Sequence, residues 1–241
     1  MTLFLFAAAV FTAMISGVIG MGGGVALLAI MSIVMPLQMV IPIHGVLQLN
    51  SNVMRSVLLH NYIQKKVVFA FMLGTPVGAF GAYFFVQSFF SEAFVLSLIV
   101  LFIVYSVFKP KEFPSLMLNQ WQFTILAVFS GFMGILIGAT GPLLAPFFLR
   151  DDYTKEQLVA TKACSQIIIH LTKLPVFLAL GFDYLAHLDL FLLMILGIVL
   201  GTAFGVRILK GTSDRYFMII YKVVLCVVAI RLIAKVIPDV V

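Results

Sequence analysis

Two long apolar runs of this chain are each interrupted by glycine. The first carries Ile19-Gly20-Met21-Gly22-Gly23-Gly24 and the second Ile137-Gly138-Ala139-Thr140-Gly141-Pro142. Glycine costs a helix interior about 1 kcal/mol per residue relative to alanine, so clustered glycines predict that a helix stops there. Backbone that leaves a helix inside lipid has to be buried by protein or face a water-filled cavity, because its polar groups otherwise go unpaired. The N–H groups freed where the next helix starts, with the helix dipole behind them, suit an anion. The same interruption in both halves predicts a transporter with two paired half-sites.

The lipid setting follows from composition. Of 241 residues, 63% are hydrophobic and 10% are charged, with a mean hydropathy of +1.20. A globular domain carries about a quarter charged residues, so this chain is expected to be an all-α polytopic membrane protein. The first run lacks a basic n-region and an A-x-A cleavage site and reads as membrane structure, not as a signal peptide. In a soluble protein the net charge of +6 would suggest nucleic acid. Here it reads as lysine and arginine retained on the cytoplasmic side, and no nucleic-acid partner is expected. Cys164 and Cys226 lie in apolar segments without a C-x-x-C partner, so neither a disulfide nor a metal site is expected.

Eight apolar stretches can be read, at roughly 3–35, 44–63, 67–87, 91–108, 121–149, 157–180, 187–207 and 216–236. Most match the ~20 residues a helix needs to cross a bilayer. The first and fifth are too long for one crossing, and these hold the glycine breaks. The polar segment Lys109 to Gln120, with Pro110 and Pro114, divides the chain into a repeat at 1–108, a linker at 109–120 and a second repeat at 121–241. The repeats correspond element by element. After each break comes a polar helix, with Gln48, Ser51 and Asn52 in one half and Lys162, Ser165 and Gln166 in the other. The next helix carries Gly74, Gly78 and Ala82 against Gly197, Gly201 and Gly205, small residues at every fourth position that predict close helix packing.

Charge in the connections predicts orientation. The connection at 36–43 is uncharged, 64–66 has Lys65 and Lys66, and 88–92 has only Glu92. In the second half 150–156 has Arg150 and Lys155, 181–189 has Asp183 and Asp189 without a base, and 207–215 has Arg207, Lys210 and Arg215. Equivalent connections carry opposite bias, which predicts two inverted repeats. Four simple crossings per half cannot be inverted, because an even number returns the chain to the same side. Each broken element is therefore expected to be a re-entrant hairpin, followed by three transmembrane helices. The basic residues of the connections then fall inside and both termini outside, with Arg231 and Lys235 as exceptions.

All nine carboxylates lie in connections, segment ends or the C-terminal tail. Cation pumps and sodium-coupled carriers usually hold their ion on a buried carboxylate, and that chemistry is missing. Bases do occur inside the apolar segments. Arg55 lies ten residues from Lys65, ~15 Å along a helix and too deep for easy snorkelling. It shares a helical face with Gln48 and Asn52. Lys162, Gln166, His170 and Lys173 form a similar stripe in the second half. The substrate-binding candidates are Gly22, Gly23, Gly24, Ser51, Asn52, Arg55, Thr140, Gly141, Lys162, Ser165 and Gln166. His170 suits either a proton relay or a satisfied core histidine. Lys162 and Lys173 are near enough to their helix ends to snorkel, and His44 and His60 read as interfacial. The polar pairs Ser51-Asn52 and Ser165-Gln166 could instead bond helix to helix.

No serine triad, metal-spaced cluster or P-loop is present, so no enzyme activity and no cofactor is expected. An assembly protein without transport activity would need a larger surface than these short connections offer. An anion channel suits the paired, inverted breaks less well than a carrier does.

The segment Gly17-Val18-Ile19-Gly20-Met21-Gly22-Gly23-Gly24, the polar helix with Asn50-Ser51-Asn52 and the later Gly138-Ala139-Thr140-Gly141-Pro142 together resemble the sulfite exporter TauE/SafE family. The resemblance covers essentially the whole chain. It implies a small two-half permease, multi-pass in the cell (inner or plasma) membrane, that moves sulfite, a sulfonate or another small organic anion. By similarity the site lies at the two breaks and the polar helices after them. The expected partners are a small anionic substrate and the lipid bilayer, with a second copy of the chain in a homodimer. The family often has a proline several residues beyond the glycines. Pro142 and Pro146 keep it in the second half, while the nearest in the first is Pro36.

Overall fold

The computed structural model describes residues 2–19, 22–89, 91–108, 117–148, 150 and 152–209. The eighth apolar stretch, Cys226, most of the linker and the basic residues from Lys210 onward lie outside the described residues. Those described form nine α-helices, and no strand occurs among them. The helices are α1 (Thr2–Ile19), α2 (Gly23–Val34), α3 (Leu37–Leu58), α4 (Lys65–Phe89), α5 (Glu92–Phe108), α6 (Gln120–Ile137), α7 (Gly141–Phe148), α8 (Lys155–Ala179) and α9 (Leu188–Leu209). Among the described residues, three segments are long and apolar enough to cross a membrane: Lys65–Phe89, Gln120–Ile137 and Leu185–Ile208. Their outer faces expose Phe69, Phe80, Ile125, Leu192 and Phe204, as side chains bathed in lipid would be. The chain is an integral membrane protein.

Both glycine clusters interrupt a helix. α1 ends at Ile19 and α2 begins at Gly23, with Gly22 at φ 92°; α6 ends at Ile137 and α7 begins at Gly141, with Gly138 at φ 87°. Side-chain-bearing residues rarely adopt that left-handed backbone, so these two glycines permit the turn. The second broken element folds back on itself. Phe148, at the end of α7, packs on Phe123 near the start of α6, with ring centroids 5.7 Å apart. Just beyond, Arg150 Nη1 donates to the Leu118 carbonyl at 3.4 Å, so the chain enters and leaves at one end.

The third helix differs from its sequence expectation. The apolar stretch was read from 44 to 63, but α3 runs from Leu37 to Leu58. Pro36 caps its start, and the helix runs on through Pro42. The shift places His44 inside the helix and puts Arg55 in its last turn.

The small-residue stripes pack helix on helix. A methyl on Gly74 or Gly78 of α4 would strike the Thr124 or Val128 carbonyl of α6. On α9, Gly201 and Gly205 stand equally close to the Val10 and Met14 carbonyls of α1. Contact positions rise together along both pairs, so α4 runs parallel to α6 and α9 runs parallel to α1. The two polar helices, by contrast, are antiparallel. Gly45 near the start of α3 lies against Lys173 towards the end of α8. Leu59, just past α3, packs with Val159 and Ala160 near the start of α8, and the Gln64 amide donates to Thr161 Oγ1 at 3.0 Å. Exchanging the two halves maps this set of helix pairs onto itself.

Candidate functional site

The breaks converge on the α3–α8 pair and line a small, partly open cavity there. The first break contributes Gly22, Gly24 and Val25, and Ser16 comes from the end of α1. The second contributes Ala139, Thr140, Gly141 and Pro142. His44, Gln48 and Arg55 reach it from α3, and Gln166 and His170 from α8. No aspartate or glutamate is among these lining residues.

Backbone donors are available at both helix starts. The first intrahelical bonds are Ala26 N to Gly22 O and Leu144 N to Thr140 O. The amides of Gly23, Gly24 and Val25 in α2, and of Gly141 and Leu143 in α7, thus precede the ladder and have no partner within their helices. Pro142 occupies an adjacent position where its missing N–H costs the helix nothing.

Each break also leaves carbonyls at the end of the helix before it, and a buried base takes one at each. Arg55, 2% exposed, donates from Nη1 to Ser16 O at 3.3 Å, from Nε to Ser51 O at 3.3 Å and from Nη2 to Asn52 Oδ1 at 2.7 Å. Lys173, fully buried, donates from Nζ to the Gly138 carbonyl. A cation at the C-terminal end of a helix is favoured by the helix dipole, and here each sits where a helix was cut. Lys173 therefore does not snorkel to headgroups. Arg55 lies in the last turn of α3 and is buried there, with its guanidinium against the Ser16 carbonyl of α1.

The expected site residues divide. Gly22, Gly24, Arg55, Thr140, Gly141, Gln166 and His170 line the cavity. Gly23 turns away from it, since a methyl there would overlap the Thr12 carbonyl and crowd Ser16 Oγ of α1. Ser51 bonds to Thr202 Oγ1 of α9 at 3.2 Å, and Asn52 orients Arg55 while its Nδ2 donates to Gln48 O at 2.8 Å. Lys162 and Ser165 are buried in α8 but off the lining.

Sequence reasoning passed over His44, which was taken as interfacial. It is fully buried, and its Nε2 lies 2.8 Å from the Gly24 carbonyl. The signal was present, for His44 is one turn before Gln48 on the face that continues through Asn52 and Arg55. Gln48 itself faces Gly24 across the first break.

A family model for the sulfite exporter TauE/SafE family matches residues 5–232. The chain belongs to that family. As a TauE/SafE protein it is a membrane permease, of a family of transporters rather than enzymes. No curated protein and no solved structure matches it. The TauE/SafE match spans both glycine breaks, α3 and α8, and so contains every residue that lines the cavity.

Proposed function

We propose that this chain is a secondary transporter of a small anion, sulfite, a sulfonate or a related sulfur-containing or carboxylate anion, working by alternating access. The observation that carries this is the lining of one cavity. Two helix starts bring amides with no partner in their own helices, Arg55, Gln48, Gln166 and Thr140 add side-chain donors, and no carboxylate is among the lining residues. Donors arriving from several directions suit an oxyanion, whose oxygens accept hydrogen bonds around their whole surface. Its charge would be offset by Arg55, with Lys173 close behind the Gly138 carbonyl.

The two halves are inverted repeats in this reading, set in the cell membrane with each broken element re-entrant. Support comes from the antiparallel α3–α8 pair, from helix packing that maps onto itself when the halves are exchanged, and from the return of the chain to one end across α6 and α7. Such an arrangement lets one repeat rock against the other around a fixed site.

The test is a thermal-shift screen of purified protein against sulfite, sulfate, thiosulfate, sulfonates and small carboxylates, followed by uptake of the stabilising anion into proteoliposomes. A ligand at a hundred times its Kd adds about 2.7 kcal/mol to the folded state, which a melting curve detects. A protein that is stabilised by no anion and moves none would refute the proposal.

A further inference from the structure

The groups that anion binding leaves unused in this cavity are ring nitrogens. His44 and His170 are buried, and their rings meet edge to face with centroids 6.2 Å apart. A carbonyl only accepts, so the contact with Gly24 O requires that His44 Nε2 carry a hydrogen. In a neutral ring that leaves Nδ1 as a bare lone pair. This Nδ1 is buried without a hydrogen-bond partner, and so are His170 Nδ1 and Thr140 Oγ1. Buried polar atoms are as a rule paired, so three such atoms on residues lining one cavity mark the place of a ligand.

A fully ionised oxyanion cannot complete this set. It accepts from Thr140 and Arg55 but has no hydrogen to give the Nδ1 lone pair, which it would repel. The mismatch disappears if one proton accompanies the anion, either on the ligand as O–H···Nδ1 or on the ring as Nδ1–H···O. The two forms have the same composition, an anion and one proton, and no other bond changes.

We propose that the site binds its anion together with one proton held at Nδ1 of His44, so that transport by this chain is coupled to protons. This rests on the anion reading of the cavity. The sequence left His170 between a relay and a core histidine, and the geometry gives the relay role to His44. Its Nε2 is held against the Gly24 carbonyl of the first break while its ring meets His170 edge to face, so Nδ1 is the nitrogen left open. The other charged and titratable groups on or beside this cavity lining are Arg55 on α3, and His170 and Lys173 on α8, with Lys162 about two turns before His170. α2 and the described part of either break contribute none. All of these groups are bases. A proton on His44 therefore meets only like charge when the cavity is empty and opposite charge when an anion fills it. Proton and anion then strengthen each other's binding by the same factor.

The experiment is titration calorimetry of the full-length purified protein with thiosulfate, sulfate and methanesulfonate, anions that carry no titratable proton near neutrality. Buffers of different ionisation enthalpy report the protons taken up per anion bound. The expected result is an uptake approaching one, with affinity weakening by up to about tenfold per pH unit as the solution is made more alkaline. His44→Gln keeps a donor for the Gly24 carbonyl and should bind with no uptake and no pH dependence. His170→Gln should retain the uptake, which keeps the assignment testable if the first variant fails to fold. Anion binding without proton uptake overturns this proposal and leaves the transporter reading intact. Uptake lost in His170→Gln overturns the assignment to His44. No binding of any of these anions overturns both the coupling and the anion site.

Discussion

Gly23 and Gly141 begin the two helices that follow the breaks, and alanine should have opposite consequences at the two positions. A Cβ on Gly141 would meet a single neighbour within 4 Å, Gln166 Nε2 at 3.8 Å, which is ordinary contact. The residue has no positive φ, so alanine fits its backbone and removes a helix penalty of up to about 1 kcal/mol. Folding stability should therefore be unchanged or rise by up to about 1 kcal/mol. The added methyl lies beside Gln166, on the lining of the cavity, and takes space from the ligand. Crowding of a packed site costs about 1–3 kcal/mol, which at 1.4 kcal/mol per factor of ten weakens anion binding by about five- to 150-fold. At Gly23 the same methyl would overlap the Thr12 carbonyl oxygen, a backbone atom that moves only if α1 separates from α2. The upper end of the overpacking range, about 3 kcal/mol, less the helix gain of about 1 kcal/mol, leaves a loss near 2 kcal/mol. Denaturant unfolding in detergent and calorimetric anion affinity measure the two quantities separately. Gly141→Ala binding as tightly as the unmutated protein, or Gly23→Ala unfolding at the unmutated midpoint, would refute the placement of that glycine.

Arg55→Gln should destabilise the ligand-free protein by about 1.5–3 kcal/mol, the worth of its short bond to Asn52, and should also abolish most anion binding. Arg55→Lys, which keeps the charge but loses the planar fork, should fall between, and unmutated affinity in both variants would remove Arg55 from the site. Gly201→Leu should unfold or fail to accumulate, because the Val10 carbonyl of α1 occupies the space a side chain needs; normal thermal stability would sink the α1–α9 packing. Single cysteines at 64–66 and at 150–156 should be labelled only from the cytoplasmic face, and labelling from opposite faces would exclude the inverted hairpin topology.

Helix existence, the membrane setting and the breaks were legible because they depend on local chemistry. Any chain this apolar belongs in lipid, and clustered glycine weakens a helix whatever surrounds it. The small-residue stripes were likewise readable as packing faces, and α4 and α9 use them so. Helix ends were less legible at α3, where Pro36 and Pro42 admit more than one start and the choice moved His44 from an edge into the interior.

What only the tertiary structure decided is which groups meet. The sequence placed Arg55 deep in the first half without naming its partner, and left Lys173 near enough to a helix end to snorkel. In the folded chain Arg55 takes Ser16 O and Lys173 takes Gly138 O, so each base closes the end of a cut helix and still stands at or beside the cavity. Two glycines alike in sequence, Gly23 and Gly141, face different neighbours because α2 lies back on α1 while α7 opens towards Gln166. His44 and His170 meet only because α3 and α8 run antiparallel. A residue's period along its own helix sets the face it occupies, but the crossing of helices distant in the chain sets what that face touches, and no local pattern carries that information.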